Sequence, residues 1–421
     1  MSSPSPSLEK LAQARRATFF SFLLLGHLVL CSVAWVPEYI DRLGVSFTQW
    51  GLILGVAPLG AIVSIAVSPL LVNRFGVGRV VFVASLISCG FLVSLGFTTS
   101  PGLWMVLNMM FNFAVSLAGV GVNTQAVLVQ KKFPTPIING MHAGWSMGAV
   151  TAAVTGSVAT ATVSLETYLI AVALITAASF VFSFRYFLTP AEDGHREERH
   201  HATRLPLFRL PLRMWVLAFG LVCAVVAEIS IFEWSAVLAR QLGADLLLRS
   251  LPFAVFMAGM IIGRLSIARL ARAFSVKSLA TAGAAMGSLA MALGIVMGYL
   301  IAPYSPLWAI LILSAFWLFA GLGVAPLGPT MISSASALRG VTTTQAIGSL
   351  SMVSHVGSIG AKISMGALAE GVSVSMAFAI PIILLLGAVL VARWALRSHY
   401  NPDLDSVAPP TGPLPIVTAG S

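Results

Sequence analysis

Residues 47–72 read FTQWGLILGVAPLGAIVSIAVSPLLV and carry no charged side chain. A membrane-crossing helix needs about 20 mostly apolar residues, so this stretch is long enough to span a bilayer. It ends in the basic turn NRFGVGRV (73–80), where the next apolar run begins. Reading outward from it, the same alternation of apolar run and short polar loop gives twelve predicted spans. They cover 18–40, 47–72, 79–97, 103–130, 139–162, 166–188, 213–241, 247–271, 276–300, 305–335, 345–369 and 373–396. Composition agrees: 9% of residues are charged, against about a quarter in a soluble domain. The expected fold class is an all-α membrane protein with twelve transmembrane helices.

The net charge of +10 would suit nucleic acid in a soluble protein. Here it falls on loops that can face an anionic leaflet, so the expected partner is the lipid bilayer and not nucleic acid. Only Arg42, Arg240 and Arg249 fall on the side opposite the N-terminus, and Lys362 lies inside a span, leaving 20 of the 24 Lys and Arg on the N-terminal side. The positive-inside rule then places both termini in the cytoplasm, and the expected location is the inner membrane. Lys10, Arg15 and Arg16 precede the first span as in a signal peptide, but the apolar run is too long for one and is read as a retained helix. Cys31, Cys89 and Cys223 each stand alone in an apolar run, which supports neither a disulfide framework nor a metal site.

The expected layout is a cytoplasmic tail (1–17), a six-helix domain (18–188), a cytoplasmic linker (189–212), a second six-helix domain (213–396) and a disordered tail (397–421). His195, His200 and His201 in the linker imply no ligand geometry and read as part of a solvated charged segment. The two halves repeat. At a shift of 199, Trp35 meets Trp234, Leu43-Gly44 meets Leu242-Gly243, Gly60 meets Gly259, and Phe75 meets Phe274. At a shift of 202, AGVGV (118–122) echoes AGLGV (320–324). A register held over some 40 residues is the mark of duplicated halves, the layout of an alternating-access transporter.

LVNRFGVGRV (71–80) resembles the cytoplasmic loop motif of the major facilitator superfamily, with a weaker copy at GRLSIARLARAFSVKSL (263–279). The resemblance implies a gating role for Asn73, Arg74, Gly76, Arg79 and, in the second copy, Arg264. Asn73 stands where the motif usually has an acid. Residues 35–61, 119–149 and 228–244 are similar to the YbjJ-like branch of that superfamily, itself akin to proton-coupled fucose permease. That likeness implies a solute transporter. Two carboxylates of those relatives are missing: Gly119 stands four residues before Asn123, and Val33 four before Pro37. GWSMGAVTAAVTG (144–156) lacks the Gly-Pro of drug antiporters.

An ionisable residue inside a span is costly, so each one needs an account. Glu228 lies near the middle of span 7 and reads as a proton carrier or a counter-charge to the substrate, with a structural pairing as the alternative. Glu233 follows five residues on, about 140° around the helix, and reads equally as a gate or as an interfacial acid. Ser351, His355, Ser358 and Lys362 follow i, i+4, i+7 and i+11 along span 11, one polar stripe that lines a cavity or joins helices. The fold resemblance brings Glu228 or Glu233 to Lys362. Asn108, Asn112, Gly119 and Asn123 form a second stripe in span 4, suited to sugar hydroxyls or to helix packing. His142 and Trp145 sit at a depth similar to Asn123 and read as a sugar- or ring-binding corner, with an interfacial histidine near a helix start as the alternative for His142. His27 in span 1 is a second proton-coupling candidate.

No phosphate-binding GxxxxGK[ST] loop, HExxH or GxSxG triad is present. The expected activity is secondary transport of a small polar solute, sugar-like or an organic acid, by a monomer working as a proton symporter, with no cofactor, no metal and no enzymatic step. A first alternative is export of amphipathic compounds, with Trp35, Trp234 and Trp317 supplying an apolar pocket. A membrane sensor or enzyme is the alternative from another class.

Overall fold

The computed structural model describes residues 7–130, 132–133, 137–189, 211–338 and 343–396, the side chains of 138, 139, 268 and 343–347 excepted. Nearly all of it is helical. The first half comprises α1 (Leu8–Leu30), a 3-10 turn (Val33–Trp35), α2 (Val36–Leu43), α3 (Phe47–Phe75), α4 (Val77–Phe97), α5 (Pro101–Gln130), α6 (Ile138–Thr162) and α7 (Leu165–Phe184). The second comprises α8 (Leu212–Gln241), a 3-10 turn (Leu246–Leu248), α9 (Leu251–Leu270), α10 (Val276–Ile301), α11 (Pro306–Val324), α12 (Leu327–Ser336), α13 (Thr343–Gly371), α14 (Val374–Ala377) and α15 (Ala379–Ala395). Ten of these runs are long and apolar enough to cross a membrane. The other two long helices, α6 and α13, are equally extended but rich in Gly, Ser and Thr. They occupy the fifth position of each half, so the twelve-span layout stands.

Several expected spans are broken where the local sequence favours it. The first bends through the 3-10 turn and restarts at α2, with Pro37 in its first turn, where a missing N–H costs nothing. The tenth breaks at Ala325-Pro326 between α11 and α12. The expected tail 1–17 needs correction. Ser7 accepts a hydrogen bond from the Lys10 amide, and α1 starts at Leu8. Leu11, Ala14 and Ala17 recur every three residues and are buried, so 8–17 extend the first helix. The linker from 190 to 210, with its three histidines, and residues 397–421 lie outside the described residues.

The internal repeat is visible in the backbone. Gly44 and Gly243 both end a helix with positive φ, 61° and 83°, where only glycine is unstrained. Gly60 and Gly259 are both sites of close helix approach: a Cβ would stand 2.1 Å from the Met109 carbonyl oxygen on α5 and 2.2 Å from that of Leu318 on α11. Neither backbone can yield, so Gly259→Val should abolish folding. Loss of the monodisperse peak of a fluorescent fusion in size-exclusion chromatography would show it, and an unchanged peak would refute the close approach.

The halves meet through α3 against α13 and α6 against α9. Helix ends alternate between two faces, here called the amino-terminal face, where α1 begins, and the far face. Ties between the halves gather at the far face. Arg240 binds Asp41 and the Pro37 carbonyl, Arg249 binds Glu38, and Glu370 accepts from the Phe47 amide. Ser157 and Ser250 share a hydrogen bond, and Ser250 also donates to the Ala153 carbonyl.

Candidate functional site

Four charged side chains lie in span interiors among the described residues, and they form two pairs. Lys362 of α13 hydrogen-bonds Glu233 of α8. Glu228, also on α8, stands 3.8 Å from Arg264 of α9. The charges balance two against two. Of the two acids expected to reach Lys362, the structure selects Glu233. The rest of the α13 stripe is partly closed: Ser358 is buried and donates to the His355 carbonyl, while Ser351 and His355 are half-buried.

Arg264 requires a correction. The second motif copy implies a gating loop at this position, but α9 continues through it to Leu270. An arginine held within a bundle must find partners, and this one has two. Its Nη1 donates to Ser146 Oγ on α6 at 3.0 Å, across the two halves, and its Nη2 faces Glu228. His142 lies within its electrostatic reach. A signal was present in the sequence: Arg264 and Glu228 each lie 13 residues from the far-face end of their helix, about 20 Å by helical rise. The first motif copy does form a turn. Gly76 with φ 85° is the single residue between α3 and α4, Arg74 and Arg79 are exposed, and Arg74 lies over the Phe75 ring.

The first half contributes polar groups on α1, α5 and α6. Asn112 donates to the Asn108 carbonyl and side-chain oxygens at 2.9 and 3.2 Å, and Asn123 donates to the Gly119 carbonyl at 2.8 Å. One N–H of Asn123 is thus engaged by its own helix, which leaves its second N–H and its side-chain oxygen for a ligand. Asn108 is buried, Asn112 half-buried and Asn123 exposed. His27 Nδ1 is 3.1 Å from Thr151 Oγ1 on α6, a contact the sequence did not single out. The His142 ring packs on Phe22 at 4.9 Å between centroids, and Trp145 is half-buried against the same core. The three tryptophans offered for an apolar pocket are buried: Trp35 packs on Tyr168, Trp234 on Phe47 and Trp317 on Phe378. They fill the core and do not line a drug-sized space.

A profile of the Major Facilitator Superfamily matches residues 18–312. The chain belongs to the Major Facilitator Superfamily. It is 26% identical over 395 residues to an uncharacterised MFS-type transporter of Yersinia pestis, covering 90% of this chain and 95% of that one. In fold it is similar to the nucleoside transporter NupG, with a TM-score of 0.71 at 14% identity over 92% of this chain and 98% of the other. The D-xylose-proton symporter gives 0.68 at 15% identity over 92% and 97%. The chain is thus a multi-pass MFS transporter.

Proposed function

We propose that this MFS transporter carries a small neutral, hydroxyl-bearing solute, of the sugar or nucleoside class, between its two six-helix domains. The observation that carries this reading is the pairing of the four charges in the span interiors, which among the described residues leaves no interior cation without an acid beside it for an organic acid to claim. His142 lies within the electrostatic reach of Arg264 and His355 within that of Lys362, and the amides of Asn112 and Asn123 with the His27 ring are the further groups we assign to hydrogen-bonding hydroxyls. The nucleoside and xylose transport named for two fold relatives is of the same class. The stretches at 35–61, 119–149 and 228–244 support placement in the YbjJ-like branch. Proton coupling would run through Glu228, whose 3.8 Å separation from Arg264 exceeds a hydrogen bond.

The test is counterflow of labelled sugars, nucleosides and organic acids into liposomes holding the pure protein, with and without a pH gradient. Exchange of a neutral solute supports the reading. Exchange of acids alone overturns it, and no exchange of any of the three classes overturns the solute assignment altogether.

The positive-inside distribution supports reading the amino-terminal face as cytoplasmic, and the ties between the halves at the far face support an inward-open form. Asn123 and His142 are exposed, and the space beside Gly119 is open. Cys31, Cys89 and Cys223 are all buried, so background labelling is low. In cells, Asn123→Cys should therefore resist a membrane-impermeant maleimide added outside, and in inside-out vesicles it should react readily. Labelling only from outside would reverse the orientation.

A further inference from the structure

A groove of ≈ 740 Å³ runs between α1 and α7 on the outer wall of the first half, away from the solute site. Its chemistry is graded along its length. At the amino-terminal face its rim holds Arg16, Gln13, Ser183 and Tyr186. Toward the midplane the walls become Phe20, Leu24, Ala178 and Phe182. Leu24 is eight residues beyond Arg16 on α1, about 12 Å at the helical rise. One leaflet contributes about 15 Å of a ~30 Å hydrocarbon core, so the apolar floor follows most of one leaflet.

Arg16 is exposed and makes no ion pair among the described residues, whereas its neighbour Arg15 lies over the Phe133 ring at 5.7 Å. Arg16 and Phe20 also line a second pocket of ≈ 430 Å³ between α1 and the start of α6, so the cation stands on a ridge open on both sides. Phe20 and Phe182 are 54% and 62% exposed, an arrangement that suits acyl chains and not water. A free phosphate metabolite would have no use for the apolar floor, and a neutral lipid no use for Arg16.

We propose that this groove binds one anionic phospholipid, its phosphate on Arg16 and an acyl chain laid along Phe20, Leu24 and Phe182. The site is independent of the transported solute. The test is native mass spectrometry of the delipidated full chain, titrated with phosphatidylglycerol or phosphatidylcholine of the same chain length. The wild type should retain one phosphatidylglycerol in preference to phosphatidylcholine. A basic residue near a charged membrane surface is worth a factor of roughly five. Arg16→Gln should therefore reduce that preference about five-fold, Arg16→Lys should keep most of it, and Ala178→Phe, which fills the floor, should weaken both lipids. The thermal midpoint in detergent reports that each variant is folded. A preference unchanged in folded Arg16→Gln overturns the proposal. So does complete displacement of the lipid by glycerol 3-phosphate, which would mark a headgroup-only anion site.

Discussion

Lys362→Ala should abolish uptake into proteoliposomes and sharply lower the yield of folded protein. The Lys362 and Glu233 side chains are 10% and 17% exposed and hydrogen-bonded to each other. Removing one partner leaves the other charge without compensation, which costs on the order of 3–5 kcal/mol for a buried pair. Lys362→Arg keeps the charge and should retain folding with reduced transport. The pairing itself is checked by exchange: Lys362→Glu with Glu233→Lys should recover folded protein, while Lys362→Glu with Glu228→Lys should not. If the second exchange rescues and the first fails, Glu228 is the true partner in the membrane. If Lys362→Ala transports at the wild-type rate, the pair has no role in transport.

Glu228→Gln is expected to separate the driving force from the transport cycle. The amide mimics the protonated acid permanently. Accumulation driven by a pH gradient should be lost, while counterflow of unlabelled for labelled solute continues. The structure sharpens this expectation through Arg264, which divides its guanidinium between Glu228 and Ser146 of the other half. Changing the charge on Glu228 changes how firmly Arg264 is drawn to its own half, and so bears on a contact that must break when the halves rock. Arg264→Ala should lower both accumulation and counterflow at least ten-fold. Ser146→Ala removes one hydrogen bond to a charged group, worth about 1.5–3 kcal/mol, and should shift the gating equilibrium without ending transport. Accumulation against a gradient by the Gln variant would remove Glu228 from the coupling role. Indifference of the wild type to the pH gradient would make the protein a uniporter or couple it to another ion.

The spans and the duplication were legible in the sequence because both are one-dimensional signals. Uncharged runs of membrane length mark the helices, and the shared register of Trp35 with Trp234 and Gly60 with Gly259 marks the halves. The partner of Lys362 was not legible at that level. Glu228 and Glu233 are about 140° apart on one helix, so only one can face α13, and helix rotation is set by packing. Depth would have narrowed the choice: Glu233 and Lys362 lie eight and nine residues from the far-face ends of their helices, and Glu228 lies thirteen. Arg264 was misplaced for a related reason. A motif anchored it to a loop, whereas the apolar periodicity of α9 runs through it. Thr151 escaped notice because a threonine within a span carries no signal until His27 is seen beside it.

The polarity of α6 and α13 bears on how the chain is made. A segment is released sideways from the translocation channel into lipid only when its own transfer free energy favours lipid. These two, the equivalent helices of the duplicated halves, are more polar than the ten runs long and apolar enough to cross a membrane, so each gains less from lipid on its own. Each packs against a strongly apolar helix of its own half synthesised before it, α6 on α1 and α13 on α8. Their integration would lean on assembly, with the earlier helix of the same half covering the polar face of the later one. Biogenesis would then proceed half by half, with the fifth crossing of each half the last to commit to the membrane.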